Sequence, residues 1–135
     1  MTYIYVKNPF FLTAMTDSWV QWFEIPVTHF DRAVQFYETV LSINLSVLDL
    51  GAVTMAVFPS KNGMGALAHG EWYRPSPDGV VLHLSAGDDV GAVLNRVEQA
   101  GGKVLQPKKQ ISADLGYMGL ILDSEGNRIA LRSPH

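Results

Sequence analysis

The chain has 135 residues, of which 47% are apolar and 17% charged, with no cysteine and a formal net charge of −3. A chain of this length forms one domain whose core needs no disulfide or structural metal. The composition excludes intrinsic disorder, and the lack of cysteine excludes thiolate chemistry and cysteine zinc sites. No basic stripe supports nucleic-acid binding, and no apolar run approaches the roughly 18 residues of a membrane span. The absence of cysteine also fits a cytoplasmic location.

Residues 1–18 are predicted to form an N-terminal extension. They lack the positively charged start, the long apolar stretch and the cleavage site of a secretory signal. Thr2-Tyr-Ile-Tyr-Val6 predicts a short strand and Lys7-Asn-Pro9 a turn. We therefore expect an added edge strand or a dimer arm in this segment.

From residue 19 the chain alternates predicted strands and helices. In the first half, hydrophobic patterns predict a strand at about 19–27, a helix at about 30–41, and strands near 44–50 and 53–58. Residues 59–79 are rich in Gly and Pro and are predicted to form a long loop. In the second half, we expect a strand at 80–86, a helix at about 89–100, and strands near 103–107, 116–122 and 128–133.

The two halves repeat each other. Adding 60 to the apolar positions of the first predicted helix gives those of the second, so that Phe30, Ala33, Val34, Tyr37 and Val40 correspond to Val90, Val93, Leu94, Val97 and Ala100. This spacing is the buried stripe of an amphipathic helix. The repeat predicts an α+β fold of two tandem β-α-β-β-β modules, at about 19–60 and 79–135. The modules are expected to form a curved mixed sheet of about eight strands, with the helices outside and a concave cleft inside.

Strand alternation assigns side chains to the two faces of this sheet. Adding 59 maps Trp22 and Glu24 onto Val81 and His83. Because successive side chains point to opposite faces, these residues are expected to face the concavity together with Ser85. The residues expected to pack under the helices are Phe23, Ile25 and Val27 in the first module, and Leu82 and Leu84 in the second.

Three motifs together resemble those of the vicinal oxygen chelate superfamily, which includes glyoxalase I, extradiol dioxygenases and bleomycin-resistance proteins. They are the strand-helix segment ending in Arg32-Ala-Val-Gln-Phe-Tyr37, the second-module counterpart ending in Ala100-Gly-Gly102, and Asp123-Ser-Glu-Gly-Asn-Arg-Ile129. The resemblance covers residues 19–134 and implies the two-module fold. Related folds often pair, which implies a homodimer.

In metal-dependent members of this superfamily, the first strand of the first module supplies His or Gln and the matching strand of the second module supplies His. The last strand of each module supplies Glu. The corresponding positions here are Trp22, Val81 and Ala130, with the fourth near Met55. Indole, alkyl and thioether groups are unsuitable ligands for these divalent ions. The resemblance therefore implies the scaffold without its metal site, and we expect no metal and no other cofactor.

Glu24 and His83 are the candidate polar residues of the cleft. They could contact a ligand or move a proton, because a histidine or a partly buried carboxylate can serve as a general base. Alternatively, backbone groups or Arg132 satisfy them in a structural role, or they belong to a displaced metal site. Trp22 could stack on a planar ligand or fill the vacated metal position. Trp72 and Tyr73 could form a lid over the cleft, but they are interpreted as packing or dimer contacts.

Two functions remain compatible with these residues, and the sequence leaves open whether the protein is an enzyme. The first is a metal-free protein that binds an apolar or aromatic small molecule, with Glu24 and His83 fixing its orientation. The second is a lyase, isomerase or epimerase in which Glu24 and His83 are catalytic. A metal-dependent dioxygenase is a third, more distant alternative. The predicted ligand-binding residues are Trp22, Glu24, Met55, Val81, His83, Ala130 and Arg132.

Overall fold

The computed structural model describes residues 18–61 and 64–135, and the strand expected at Thr2–Val6 lies outside this part of the chain. The first module consists of strand β1, helix α1 and strands β2 to β4, and the second of β5, helix α2 and β6 to β8. The first set has the bounds β1 Phe23–Pro26, α1 Phe30–Leu41, β2 Ser46–Asp49, β3 Val53–Val57 and β4 Gly65–Gly70. The second has the bounds β5 Leu82–Ser85, α2 Val90–Leu94, β6 Lys103–Ser112, β7 Gly116–Leu122 and β8 Arg128–Ser133.

The two modules have the same topology. Each forms a four-stranded mixed sheet, with the order β1-β4-β3-β2 in the first and β5-β8-β7-β6 in the second. In both, the first strand runs parallel to the last strand and the remaining pairs are antiparallel. This confirms the α+β fold of two tandem β-α-β-β-β modules. The eight strands form two sheets rather than the single expected sheet, because each module pairs its first strand with its own last strand.

Strand β4 corrects the prediction of an uninterrupted loop at 59–79. Its sequence, Gly65-Ala-Leu-Ala-His-Gly70, is rich in Gly and Ala, which have low strand propensity, and it follows an Asn-Gly pair. Its stability comes instead from its position between β1 and β3, where Gly65 to Ala68 are buried. The first module therefore extends to Gly70 and does not end near residue 60.

The second helix is shorter than the expected 89–100. Regular helix ends at Leu94, and tighter turns follow in which Arg96 N donates to Val93 O and Val97 N to Leu94 O. The apolar stripe nevertheless points inward as predicted, since Val90 and Val97 are fully buried. Hydrophobic periodicity thus predicted the buried face correctly and overestimated the length of the helix.

One hydrophobic core joins the modules. Ile25, Val27 and Tyr37 from the first module pack in the same cluster as Leu84 and Val90 from the second. Phe23 and Leu82 pack against it, which confirms the predicted inward faces of the first strand of each module. Within the described residues, no helix combines the length and apolar character needed to cross a membrane.

Glu125, in the turn between β7 and β8, links the second module to helix α1. Its carboxylate accepts hydrogen bonds from the backbone N–H of Thr28 at 3.0 Å and of His29 at 2.7 Å. Arg32 adds an ion pair, with Nε 2.8 Å from Oε2. The N-cap residue His29 makes no side-chain capping bond, so Glu125 supplies the acceptor from the other module. Burial alone would raise the pKa of Glu125, but bonds from Arg32, His29 and Ser124 lower it from 4.5 to about 2.

Asp123 forms a second, buried link between the modules. Its Oδ2 accepts a 2.6 Å hydrogen bond from the Tyr37 hydroxyl and another from Asn127 Nδ2 at 3.0 Å. Burial, followed by the charge of Asp123, raises the pKa of Tyr37 well above its usual value, so the hydroxyl remains a donor. Asn127 Nδ2 also donates to Pro26 O at 2.7 Å. The turn between β7 and β8 therefore attaches the second module to the strand and helix of the first.

Candidate functional site

Glu24 lies on β1 beside Ala66 of β4, and two donors hold its carboxylate. Tyr73 Oη donates to Oε1 at 2.8 Å, and Trp22 Nε1 donates to Oε2 at 3.2 Å. The bond to Glu24, more than desolvation, raises the pKa of Tyr73. Each carboxylate oxygen retains acceptor capacity, and the residue is exposed. Glu24 is thus an anchored carboxylate that can accept a further hydrogen bond.

An apolar surface lies next to this carboxylate. Met55, Ala66 and Ala68 form a small buried cluster, and the partly buried Val53, Val57 and Tyr73 that pack against it form the apolar surface. Trp22 retains 41% exposure and is available for stacking instead of filling an interior position. Tyr73 both packs on the cluster and bonds Glu24. Its packing was expected, whereas its contact with Glu24 was not, because no sequence pattern relates a linker residue to a strand about fifty positions away.

A cleft of about 320 Å³ contains Glu24 and is lined by both modules. We call it the Glu24 cleft; its described lining includes Glu24, Arg74, Asp78, Val80, Leu82 and Arg128. The Nη2 atom of Arg128 donates to Gly79 O at 2.9 Å. Its Nε is buried and has no hydrogen-bond partner among the described residues. The cleft therefore combines the accessible carboxylate of Glu24 with the guanidinium group of Arg128, whose Nε atom is buried.

His83 occupies the position equivalent to Glu24, since it pairs with Ala130 as Glu24 pairs with Ala66. It is exposed and lines a different cleft of about 500 Å³, which also includes Ser85 and Arg132. Arg132 donates through Nε and Nη2 to Leu115 O, at 3.2 and 3.0 Å. Because Glu24 and His83 line different clefts, their contact with one shared ligand stays a prediction.

The positions that carry metal ligands in related proteins do not fit a metal ion here. The register of β4 corrects one of them: Ala66 rather than Met55 is equivalent to Ala130. The residues at the four positions are Trp22, Ala66, Val81 and Ala130, which offer no carboxylate or imidazole. Within residues 18–61 and 64–135, no three His, Asp or Glu side chains lie close enough together to bind a metal.

Comparison with known proteins identifies the family. The model of the glyoxalase/bleomycin resistance protein/dioxygenase superfamily matches residues 19–131. The chain belongs to this superfamily. Among curated proteins, none matches the chain.

Several solved structures share the fold of this chain. TnmS3, an antibiotic binding protein from Streptomyces sp. CB03234, is 25% identical with a TM-score of 0.60, over 90% of this chain and 99% of that one. A glyoxalase/bleomycin resistance protein/dioxygenase domain from Frankia sp. EAN1pec is 14% identical with a TM-score of 0.66, over 89% and 100%. Glyoxalase I from Zea mays is 16% identical with a TM-score of 0.63, over 82% of this chain and 42% of that chain.

Proposed function

We propose that this superfamily member binds an apolar or aromatic small molecule without a metal ion, at the Glu24 cleft and the adjoining apolar surface. The observation that carries the proposal is the chemistry of the four equivalent positions, where Trp22, Ala66, Val81 and Ala130 replace potential ligands with apolar groups. The similarity to an antibiotic binding protein, at 25% identity over nearly the whole of both chains, supports a binding role.

The polar groups of the cleft suggest which ligand features are recognised. Glu24 can accept a hydrogen bond, and Arg128 Nε lacks a partner within the described structure. Arg128 lines the cleft and donates one bond through Nη2 to Gly79 O, so its remaining Nη hydrogens can be donated to a ligand oxygen. We infer a ligand that has a planar or apolar body, a donor facing Glu24 and an acceptor near Arg128. Apolar contacts would provide the affinity, and the two polar groups would fix the orientation of the ligand.

A lyase, isomerase or epimerase is the second candidate. The accessible carboxylate of Glu24, held by Tyr73 and Trp22, is suited in position to accept a proton. The expected partner His83 lines another cleft, which favours binding over two-residue proton transfer. Turnover of a ligand, abolished by Glu24→Gln, would establish the enzyme.

The binding proposal can be tested by titrating aromatic and oxo-acid compounds while following tryptophan fluorescence, to which Trp22 contributes. For a compound that binds, Glu24→Gln should weaken affinity about tenfold, because a charged acceptor is lost. Glu98→Gln, which changes an exposed glutamate elsewhere, is the matched control. Lower thermal stability with unchanged affinity in Glu24→Gln would instead assign Glu24 a structural role.

A homodimer in the cytoplasm completes the proposal. Large apolar side chains remain exposed on the single chain, including Trp19 at 80%, Trp72 at 86% and Val80 at 96%. Val80 also lines the Glu24 cleft. A second copy that covered these residues would remove apolar surface from water next to the proposed ligand site.

A further inference from the structure

The joint between the modules is closed at one end and open at the other. At the closed end, Asp123, Glu125 and Asn127 connect the β7–β8 turn to β1, α1 and Tyr37. The corresponding turn of the first module, between β3 and β4, has the sequence Pro59-Ser-Lys-Asn-Gly-Met64. It contains no acidic residue that could make equivalent bonds. Here the modules leave a cleft of about 580 Å³, which we call the joint cleft.

The joint cleft extends into the hydrophobic core. Most core residues are 0–3% exposed, but Phe58 retains 9%, Leu84 8%, Ala86 6% and Val93 5%, and all four line this cleft. Phe58 belongs to the first module and the other three to the second. Phe23 and Ile43 extend the apolar wall. An apolar group in the cleft would therefore bury core side chains that are still partly open to water.

The charge at the edge of the joint cleft is positive. Among its described lining residues, Arg96 and His83 carry the ionisable groups, and no acid is present. Arg96 is half-buried, and its Nε is fixed by a 3.0 Å bond to Val40 O, at the C-terminal end of α1. Asp88 and Asp89 follow Gly87 but are not among the lining residues, and Asp89 binds Lys108 Nζ at 2.9 Å. The guanidinium is thus held beside an apolar cavity whose lining provides no counter-charge.

We propose that the joint cleft is a second small-molecule site, which takes a carboxylate with an apolar body. The tail would contact Phe58, Leu84 and Val93, and the carboxylate would bind the free guanidinium nitrogens of Arg96. The volume lies within the roughly 300–1,000 Å³ typical of ligand pockets. Guanidinium–carboxylate bonds are among the stronger hydrogen bonds in proteins. The joint cleft shares Phe23 with the Glu24 cleft but contains a different cationic group, and the proposal does not depend on the function proposed for the Glu24 cleft.

The probe for this site is octanoate, titrated calorimetrically into the full chain, with octan-1-ol as the uncharged analogue. We expect one saturable site for octanoate and at least tenfold weaker binding of the alcohol. Arg96→Met should weaken octanoate binding at least tenfold, which corresponds to about 1.4 kcal/mol. Lys103→Met removes an exposed charge elsewhere and should change affinity less than twofold.

Two further measurements keep the proposal testable if Arg96→Met does not fold. Ser60 is exposed and lines the cleft, so Ser60→Phe should block octanoate while preserving the melting temperature. In NMR spectra, octanoate should shift the signals of Phe58, Leu84 and Val93. Shifts confined to Val80 and Arg128 would place octanoate at the Glu24 cleft and overturn the proposal. Absence of saturable binding, or equal losses in Arg96→Met and Lys103→Met, would also overturn it.

Discussion

Replacing Glu125 by Gln tests the link between the modules. The carboxylate receives two backbone N–H bonds at the start of α1 and an ion pair from Arg32, and its pKa is lowered from 4.5 to about 2. A difference of about 2.5 units, at 1.36 kcal/mol each, corresponds to about 3.4 kcal/mol. Because Arg32 is half exposed, solvent screening reduces this value, and we expect Glu125→Gln to lower the free energy of unfolding by about 2–3 kcal/mol at pH 7.

The pH dependence of this loss is equally specific. A carboxylate whose pKa is depressed by folding stabilises the protein fully above its unfolded pKa, and the contribution disappears as pH falls through the folded pKa. The difference in the free energy of unfolding between the wild type and Glu125→Gln should therefore be constant above about pH 5.5 and less than half as large at pH 3. Urea unfolding of both proteins at pH 7 and at pH 3 measures this difference.

Glu71→Gln is the matched control for this test, because Glu71 is exposed. We expect Glu71→Gln to change the free energy of unfolding by less than about 0.5 kcal/mol. An equal loss in both variants, or a Glu125→Gln effect that stays constant down to pH 3, would refute the assignment of Glu125 as the carboxylate that joins the modules.

Three further predictions concern the core, the assembly and the metal. Tyr37→Phe should lower the free energy of unfolding by about 1–3 kcal/mol, because buried Asp123 loses its 2.6 Å donor; a loss below about 0.5 kcal/mol would contradict this. Light scattering should give twice the chain mass of 14.9 kDa, while a monomer at micromolar concentration would rule out the homodimer. Elemental analysis of protein purified without added metal should show substoichiometric iron, zinc, nickel and manganese. One equivalent of any of these metals in the wild type, lost when Glu24 and His83 are changed to Ala, would indicate a displaced metal site.

The parts of the fold that could be predicted from the sequence depend on local periodicity. The stripe from Phe30 to Val40 predicted α1 with its observed bounds, and alternation in the first strands predicted which side chains face the core. Strand β4 could not be predicted in this way. Its Gly- and Ala-rich sequence carries no strand pattern, and its strand conformation depends on pairing with both neighbours. The equivalence of Ala66 and Ala130 was missed for the same reason.

The candidate site was predicted in part. The repeat placed Glu24 and His83 at equivalent positions, as the strand registers confirm. The contact that fixes the Glu24 carboxylate from a distant part of the sequence comes from Tyr73 in the linker, and the guanidinium that lines the same cleft comes from Arg128. Such contacts arise from tertiary packing between segments that are distant in sequence. The same holds for Glu125, whose role depends on a helix N-terminus more than ninety positions earlier in the chain.

The central claim is that this chain binds a small molecule on a superfamily scaffold without a metal ion. The most direct measurement is a fluorescence titration of one bound compound after exhaustive dialysis against a chelator, repeated with added zinc, nickel, manganese or ferrous iron. The apolar residues at the four equivalent positions predict the same saturable affinity in every sample. Binding that appeared only after one of these ions was restored would contradict the claim.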